Sequence, residues 1–174
     1  MPARKLITKV MQSVMTRTHA YFESEFDLKL TEQSCTHGRF ENMVLFDTTA
    51  VIHVGGLINL LIVFSFDSSL LNVIYKKMTE ELEIELHEIG VYRDAAASDV
   101  INTVVGHCTI DLLHIDKNGV AITPPTILDH NHAKKASHIK NAMFYTVNLN
   151  TELGNMNISL VAQPEMLENN NFNE

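Results

Sequence analysis

The sequence predicts an α+β domain, with long helices packed on a mainly antiparallel sheet. Three observations lead there. Apolar strand-like runs cluster in blocks and do not alternate one by one with helices. The last two runs are close enough to form a hairpin. Two stretches of three- and four-residue apolar spacing are long enough to lie across a sheet. With 174 residues, the chain suits one compact domain that buries a sizeable core.

The elements follow in order. Leu6, Ile7, Val10, Met11, Val14, Tyr21 and Phe22 form a wide apolar stripe, so a helix is predicted from Lys5 to Phe26. Thr31 to Arg39 is polar and holds Gly38, which predicts a loop. Met43 to Phe46, Ala50 to Val54 and Leu57 to Phe66 are predicted strands, with Gly55 and Gly56 as punctuation. The third is apolar almost throughout, as a central strand covered on both faces would be. Phe64 and Phe66 share one of its faces and read as core.

Asp67, Ser68 or Ser69 caps the next helix, whose buried face is Leu70, Leu71, Ile74 and Met78. Glu80 to Glu88 reads EELEIELHE, a solvated helix end running into a connector, with an acidic docking patch as the alternative. A third helix is predicted from Ala95 to Leu113, its inner stripe being Ala97, Ile101, Val104, Val105, Cys108 and Leu112. Asn118-Gly119 marks a turn. Val120 to Leu128 contains Pro124-Pro125 and is restricted to an edge or irregular strand. His130 to Lys140 is a polar excursion. Tyr145, Val147 and Leu149 alternate, as do Met156, Ile158 and Leu160, giving a hairpin closed by Thr151 to Gly154. One domain is therefore expected over residues 1–163. An acidic, Asn-rich tail over 164–174 is predicted to be disordered.

Thirteen basic against twenty-one acidic residues give a net charge of −8. That excludes nucleic acid and an anionic membrane as main partners. Lys9, Gln12 and Arg17 interrupt the first apolar run, so no signal peptide is read, and no run approaches the roughly 20 residues of a membrane span. Cys35 and Cys108 sit in no CxxC pair and are expected to be buried, reduced and inert, in keeping with a cytoplasmic protein. His130, His132 and His138 are the best metal cluster but lack an assured third ligand at convincing spacing, so they read as surface histidines and no metal site is expected. Gly55-Gly56 lacks the Lys-Ser/Thr of a phosphate loop. His107 and Cys108 point about 100° apart on a helix and do not make a nucleophile pair.

The chemistry concentrates on the third helix. Asp99, Asn102 and Gly106 fall opposite its apolar stripe. Asp99 and Asn102, three residues apart, are neighbours there. Gly106 leaves a bare spot, although a glycine inside a helix costs about 1 kcal/mol relative to alanine. A carboxylate can pair with a partner lysine, and a carboxamide can orient a water by donating and accepting at once. Orienting water for in-line attack is one route to phosphoryl hydrolysis. Exposed Asp and Asn are also ordinary solvated residues. The same spacing recurs at Glu152/Asn155 and Glu168/Asn171.

The segment Ala97-Ser-Asp-Val-Ile-Asn-Thr-Val-Val-Gly106 resembles the signature helix of the CheX/CheC/FliY family of chemotaxis phosphatases, a Glu, two residues, an Asn, then an apolar pair and Gly. Val54 to Phe66 resembles that family's glycine-then-strand segment, and Val120 to Leu128 its strand ending in proline before the last hairpin. The likeness spans Thr16 to Val161. It implies dephosphorylation of the aspartyl phosphate on a CheY-like response regulator, in chemotaxis or related two-component signalling. By this resemblance Asn102 aligns the attacking water and Asp99 engages the regulator's lysine, with Ser98, Thr103 and Gly106 as partner contacts. No cofactor of the chain's own is implied, since Mg²⁺ is held by the regulator. The first helix has no Asp/Glu-x-x-Asn, so the likeness is to the single-site CheX type, which implies a homodimer. Asp99 is one methylene shorter than the family's Glu. The alternative is a catalytically weak or inactive dimeric module that binds receiver domains.

Overall fold

The computed structural model describes residues 3–56, 58–113, 120–128 and 141–167. Helix α1 (Ala3–Phe26) leads into strand β1 (Thr31–Arg39), a short 3-10 turn (Phe40–Asn42), β2 (Thr48–Gly55) and β3 (Leu60–Phe66). Helices α2 (Ser68–Met78) and α3 (Ile89–Leu113) follow. Then come β4 (Ala121–Ile122), β5 (Thr126–Leu128), the hairpin β6 (Met143–Thr151) and β7 (Gly154–Ala162), and a last short helix α4 (Pro164–Leu167). The seven strands form one sheet in the order β1-β6-β7-β3-β2-β4, with β5 also paired to β2. Every pairing is antiparallel. The α+β architecture is the predicted one.

The core follows strand alternation. Leu60, Ile62, Phe64 and Phe66 of β3, and Met156, Ile158 and Leu160 of β7, point towards the helices and are buried. They meet Ile7, Val10 and Val14 of α1, Leu70 and Ile74 of α2, and the α3 stripe. Burying each such side chain contributes roughly 1.5–3 kcal/mol. The outer face carries a smaller apolar cluster of Val63, Phe144 and Val161, covered by Phe40 and Met43. Beside it, buried hydroxyls pair across strands, Thr49 with Ser65 at 2.9 Å and Thr146 with Ser159 at 2.6 Å. Among the described residues no helix is long and apolar enough to cross a membrane.

Several expectations need correction. Thr31 to Arg39 is no loop: it is edge strand β1, held by its backbone ladder to β6, with a register irregularity between Glu32 and Ser34. It is exposed along almost its whole length, so no apolar alternation marked it. Cys35 lies on that strand and is exposed, not buried. Met43 to Phe46 is not a strand, because the chain leaves the 3-10 turn there to cover the outer face. Helix α3 begins at Ile89, a turn and a half before Ala95, since its first turns are largely exposed and show no full apolar stripe. Residues 164–167, expected in a disordered tail, form α4, and Leu167 is buried in the core. The rest of that tail, the Asn118-Gly119 turn and the segment His130 to Lys140 lie outside the described residues.

One carboxylate ties the hairpin to the helical layer. Asp67 Oδ1 accepts from the Leu70 backbone N–H at 2.8 Å and caps α2. Its Oδ2 accepts from the backbone N–H of Asn155 at 2.7 Å and from its side-chain amide at 3.1 Å. Gly154 passes beside this knot with φ of +151°, and a Cβ there would stand 2.5 Å from Asp67 Oδ1 and 2.7 Å from the Leu70 nitrogen. Gly154→Ala is therefore expected to destabilise the fold by about 1–3 kcal/mol. Denaturant unfolding measures this, and an unshifted midpoint would show that the knot tolerates the methyl group.

Candidate functional site on helix α3

Helix α3 forms because its apolar residues fall on one side. Ala97, Val100, Ile101, Val104, Val105, Cys108 and Leu112 are all buried, against the sheet and between α1 and α2. This reproduces the predicted inner stripe. The opposite side is bare. Asp99 and Asn102 are exposed, one turn apart, and Ser98, Thr103 and Gly106 are half-buried beside them. A Cβ built on Gly106 would meet nothing within 4 Å, so the spot next to Asn102 is open. The structure thus brings all five residues to one surface.

Helix α1 adds a residue that the sequence pattern had assigned to the core. Tyr21 is half-buried and packs edge-on against Phe22 and Phe26, with ring centroids 6.3 and 5.6 Å away. Burial, and then the charges of Asp99 and Glu25, push its phenol up, while a hydrogen bond with the Thr103 side chain opposes them. Tyr21 therefore stands against the flank of the Asp99/Asn102 face. Its place in the apolar spacing of α1 was the only sequence signal, and that spacing says nothing about where the hydroxyl goes.

Nearer the C-terminal end of α3, Asp111 fastens the two helices together. Arg17 donates to both carboxylate oxygens, at 2.5 Å from Nη2 and 3.0 Å from Nε, and the Ser13 hydroxyl donates at 2.6 Å. The hydrogen bonds that Arg17 donates to Asp111, and then the carboxylate's charge, raise the Arg17 guanidinium above its ordinary value, so it stays protonated. The pair is partly exposed, and its main contribution is geometric, a two-pronged lock on helix rotation. Burial pushes the neighbouring Cys108 thiol up to about 11. Cys108 is thus a core thiol and no nucleophile at neutral pH.

Asp99 and Asn102 are open to solvent on the outer side of α3. An apolar cavity of about 180 Å³ lies elsewhere, on the outer face of the sheet, lined by Met43, Leu45, Val51, His53 and Leu61 among others. Among the described residues no group of three or more His, Cys, Asp or Glu side chains is placed to hold a metal ion. His130, His132 and His138 lie outside them.

The fold is shared with known proteins. No family model matches the chain, and no curated protein matches it in sequence. Solved structures do. The fold is that of CheX, CheC-like and FliY chemotaxis proteins. A CheX from Desulfovibrio desulfuricans superposes with a TM-score of 0.67 at 14% identity, over 87% of this chain and 97% of that one. FliY from Thermotoga maritima gives 0.63 at 16% identity, over 95% and 92%. A CheX from Borrelia burgdorferi, solved in complex with CheY, BeF3 and Mg²⁺, gives 0.62 at 14% identity, over 87% and 96%.

The two cysteines report on this arrangement. A thiol reagent at neutral pH is expected to label Cys35 in the native chain and to reach Cys108 only after unfolding. Equal native labelling of both would mean that α3 is not seated on the sheet as described.

Proposed function

We propose that the chain hydrolyses the aspartyl phosphate of a CheY-like response regulator, using Asp99 and Asn102. One observation carries the reading: the two side chains stand exposed, a turn apart, on a stiff helix whose other face is buried. The fold shared with a CheX solved on CheY supports it. So does this exposure. A small-molecule enzyme surrounds its substrate, whereas a projecting pair suits a substrate that brings its own pocket.

In this reaction the Asn102 carboxamide accepts a hydrogen bond from water and orients it for in-line attack on phosphorus. The bond to the regulator's aspartate oxygen breaks as the new P–O bond forms, leaving carboxylate and inorganic phosphate. Asp99 pairs with the regulator's lysine and fixes the approach. Ser98, Thr103 and Gly106 form the contact around them, with Gly106 leaving room for the partner. Mg²⁺ belongs to the regulator's pocket and would neutralise charge on the phosphoryl oxygens. The work of such an enzyme is cytoplasmic, and by the same resemblance a homodimer is expected.

The shorter Asp99 favours a second reading, a module that binds receivers without hydrolysing them. Misplacement by about an ångström can cost roughly 10²-fold where catalysis is positioning.

Phosphate release from a phosphorylated receiver tests the reading. Asn102→Ala is expected to abolish the acceleration while changing stability by less than about 0.5 kcal/mol, since the side chain is exposed. An equally active variant would remove Asn102 from the mechanism. Asp99→Glu is expected to raise release by up to about 10²-fold. Receiver binding without hydrolysis in both native and Glu forms would establish the module instead.

A further inference from the structure

The exposed face of α3 continues past Asp99 and Asn102 in both directions. At 100° per residue, Val91, Ala95, Asp99, Asn102, Gly106 and Ile110 share one side. Val91 is 70% exposed and Ile110 56%, so a bare apolar side chain stands at each end. At 1.5 Å per residue the strip is about 28 Å long, close to the width of a standard protein interface of roughly 800 Å² per partner. Beyond its N-terminal end, the connector from α2 presents Leu82, 56% exposed, and Leu86, 89% exposed. Four of the six bare large apolar side chains among the described residues (Leu82, Leu86, Val91 and Ile110) thus lie on α3 or on the connector that leads into it. Scattered bare leucines need no explanation, but grouped ones do.

The connector is also strongly charged. Glu80 to Glu88 holds five glutamates and no lysine or arginine. Glu80, Glu81, Glu83 and Glu85 are exposed around the two leucines. Lys77 reaches Glu80 at 3.4 Å and His87 reaches Glu85 at 3.2 Å, both on the open surface. The whole chain carries −8. A phosphorylated aspartyl pocket is itself anionic, so it meets this chain, with its net charge of −8, against long-range repulsion. Attraction has to come from another part of the partner, of opposite sign.

We propose that the receiver domain is held at two places. Its phosphorylated pocket meets the α3 face around Asp99 and Asn102. A second patch, apolar and rimmed with lysine or arginine, meets Leu82 and Leu86 of the acidic connector and Val91 in the first turn of α3. The proposal rests on the phosphatase reading for the identity of the partner.

The test uses the full chain, with a receiver in its Mg²⁺–beryllofluoride form for binding and in its phosphorylated form for turnover. Leu86→Asp combined with Val91→Asp is expected to weaken binding about tenfold, with the loss falling on KM. Val44→Asp, an equally exposed position in the segment beside the outer sheet face, is expected to bind as the native chain does. Native binding is expected to weaken as salt rises. If the native chain binds and hydrolyses and the double variant matches it, the two-place contact is wrong and the phosphatase reading stands. If the native chain binds without hydrolysis and the double variant still loses affinity, the contact stands and the phosphatase reading falls. A native chain that binds no receiver overturns both.

Discussion

The burial of one face of α3 is the constraint on which the rest depends. Seven side chains from Ala97 to Leu112 are sealed against the sheet and the two flanking helices. Their combined burial far exceeds the roughly 1 kcal/mol that Gly106 costs inside a helix. The helix can therefore carry a glycine in the middle of its open face and stay straight enough to hold a pair of side chains in register. Because the inner face is fixed, the outer face is fixed as well: a rotation that hid Asp99 would lift Ile101 or Val104 out of the core.

Helix α1 makes this rigidity specific. At one end of the contact, Arg17 and Ser13 grip Asp111 with three hydrogen bonds. Towards the other, Tyr21 leans against Thr103 and the flank of Asp99, backed by Phe22 and Phe26. A bidentate arginine resists twisting, and an aromatic wedge resists sliding. The polar face of α3 is thus braced from the side, through the half-buried Thr103 at its flank.

Legibility in the sequence followed burial. The α3 stripe, the Phe64/Phe66 face, the Asp67 cap and the closing hairpin were readable because solvent exclusion imposes a period on apolar residues. Strand β1 was not, since Thr31 to Arg39 takes its order from the β6 backbone and buries almost nothing. The first turns of α3 were missed for the same reason. Asp99, Asn102 and Gly106 could be placed on one face from spacing alone, but spacing could not separate them from Glu152 and Asn155. Those two sit at the β6–β7 turn, where the Asn155 side chain is engaged with Asp67 and Asn150. The neighbour that local pattern could never supply is Tyr21, because a contact 82 positions away in sequence leaves no periodic trace.

An exposed site also decides which part of the chemistry this chain must provide. It encloses nothing, so it does not by itself exclude water or lower the dielectric around a phosphoryl group. Those conditions, with the metal ion, have to come from the partner's pocket. What a rigid helix supplies is position, at the cost of little conformational entropy because the two side chains are short. Shortness cuts both ways. Aspartate at position 99 has fewer torsions to freeze than glutamate, and it reaches less far into a pocket. A chain built with the shorter acid needs either a closer approach of its helix, which the open surface at Gly106 permits, or additional contact elsewhere to hold the two surfaces together. The bare leucines of the acidic connector are the feature of the described surface best suited to that second task.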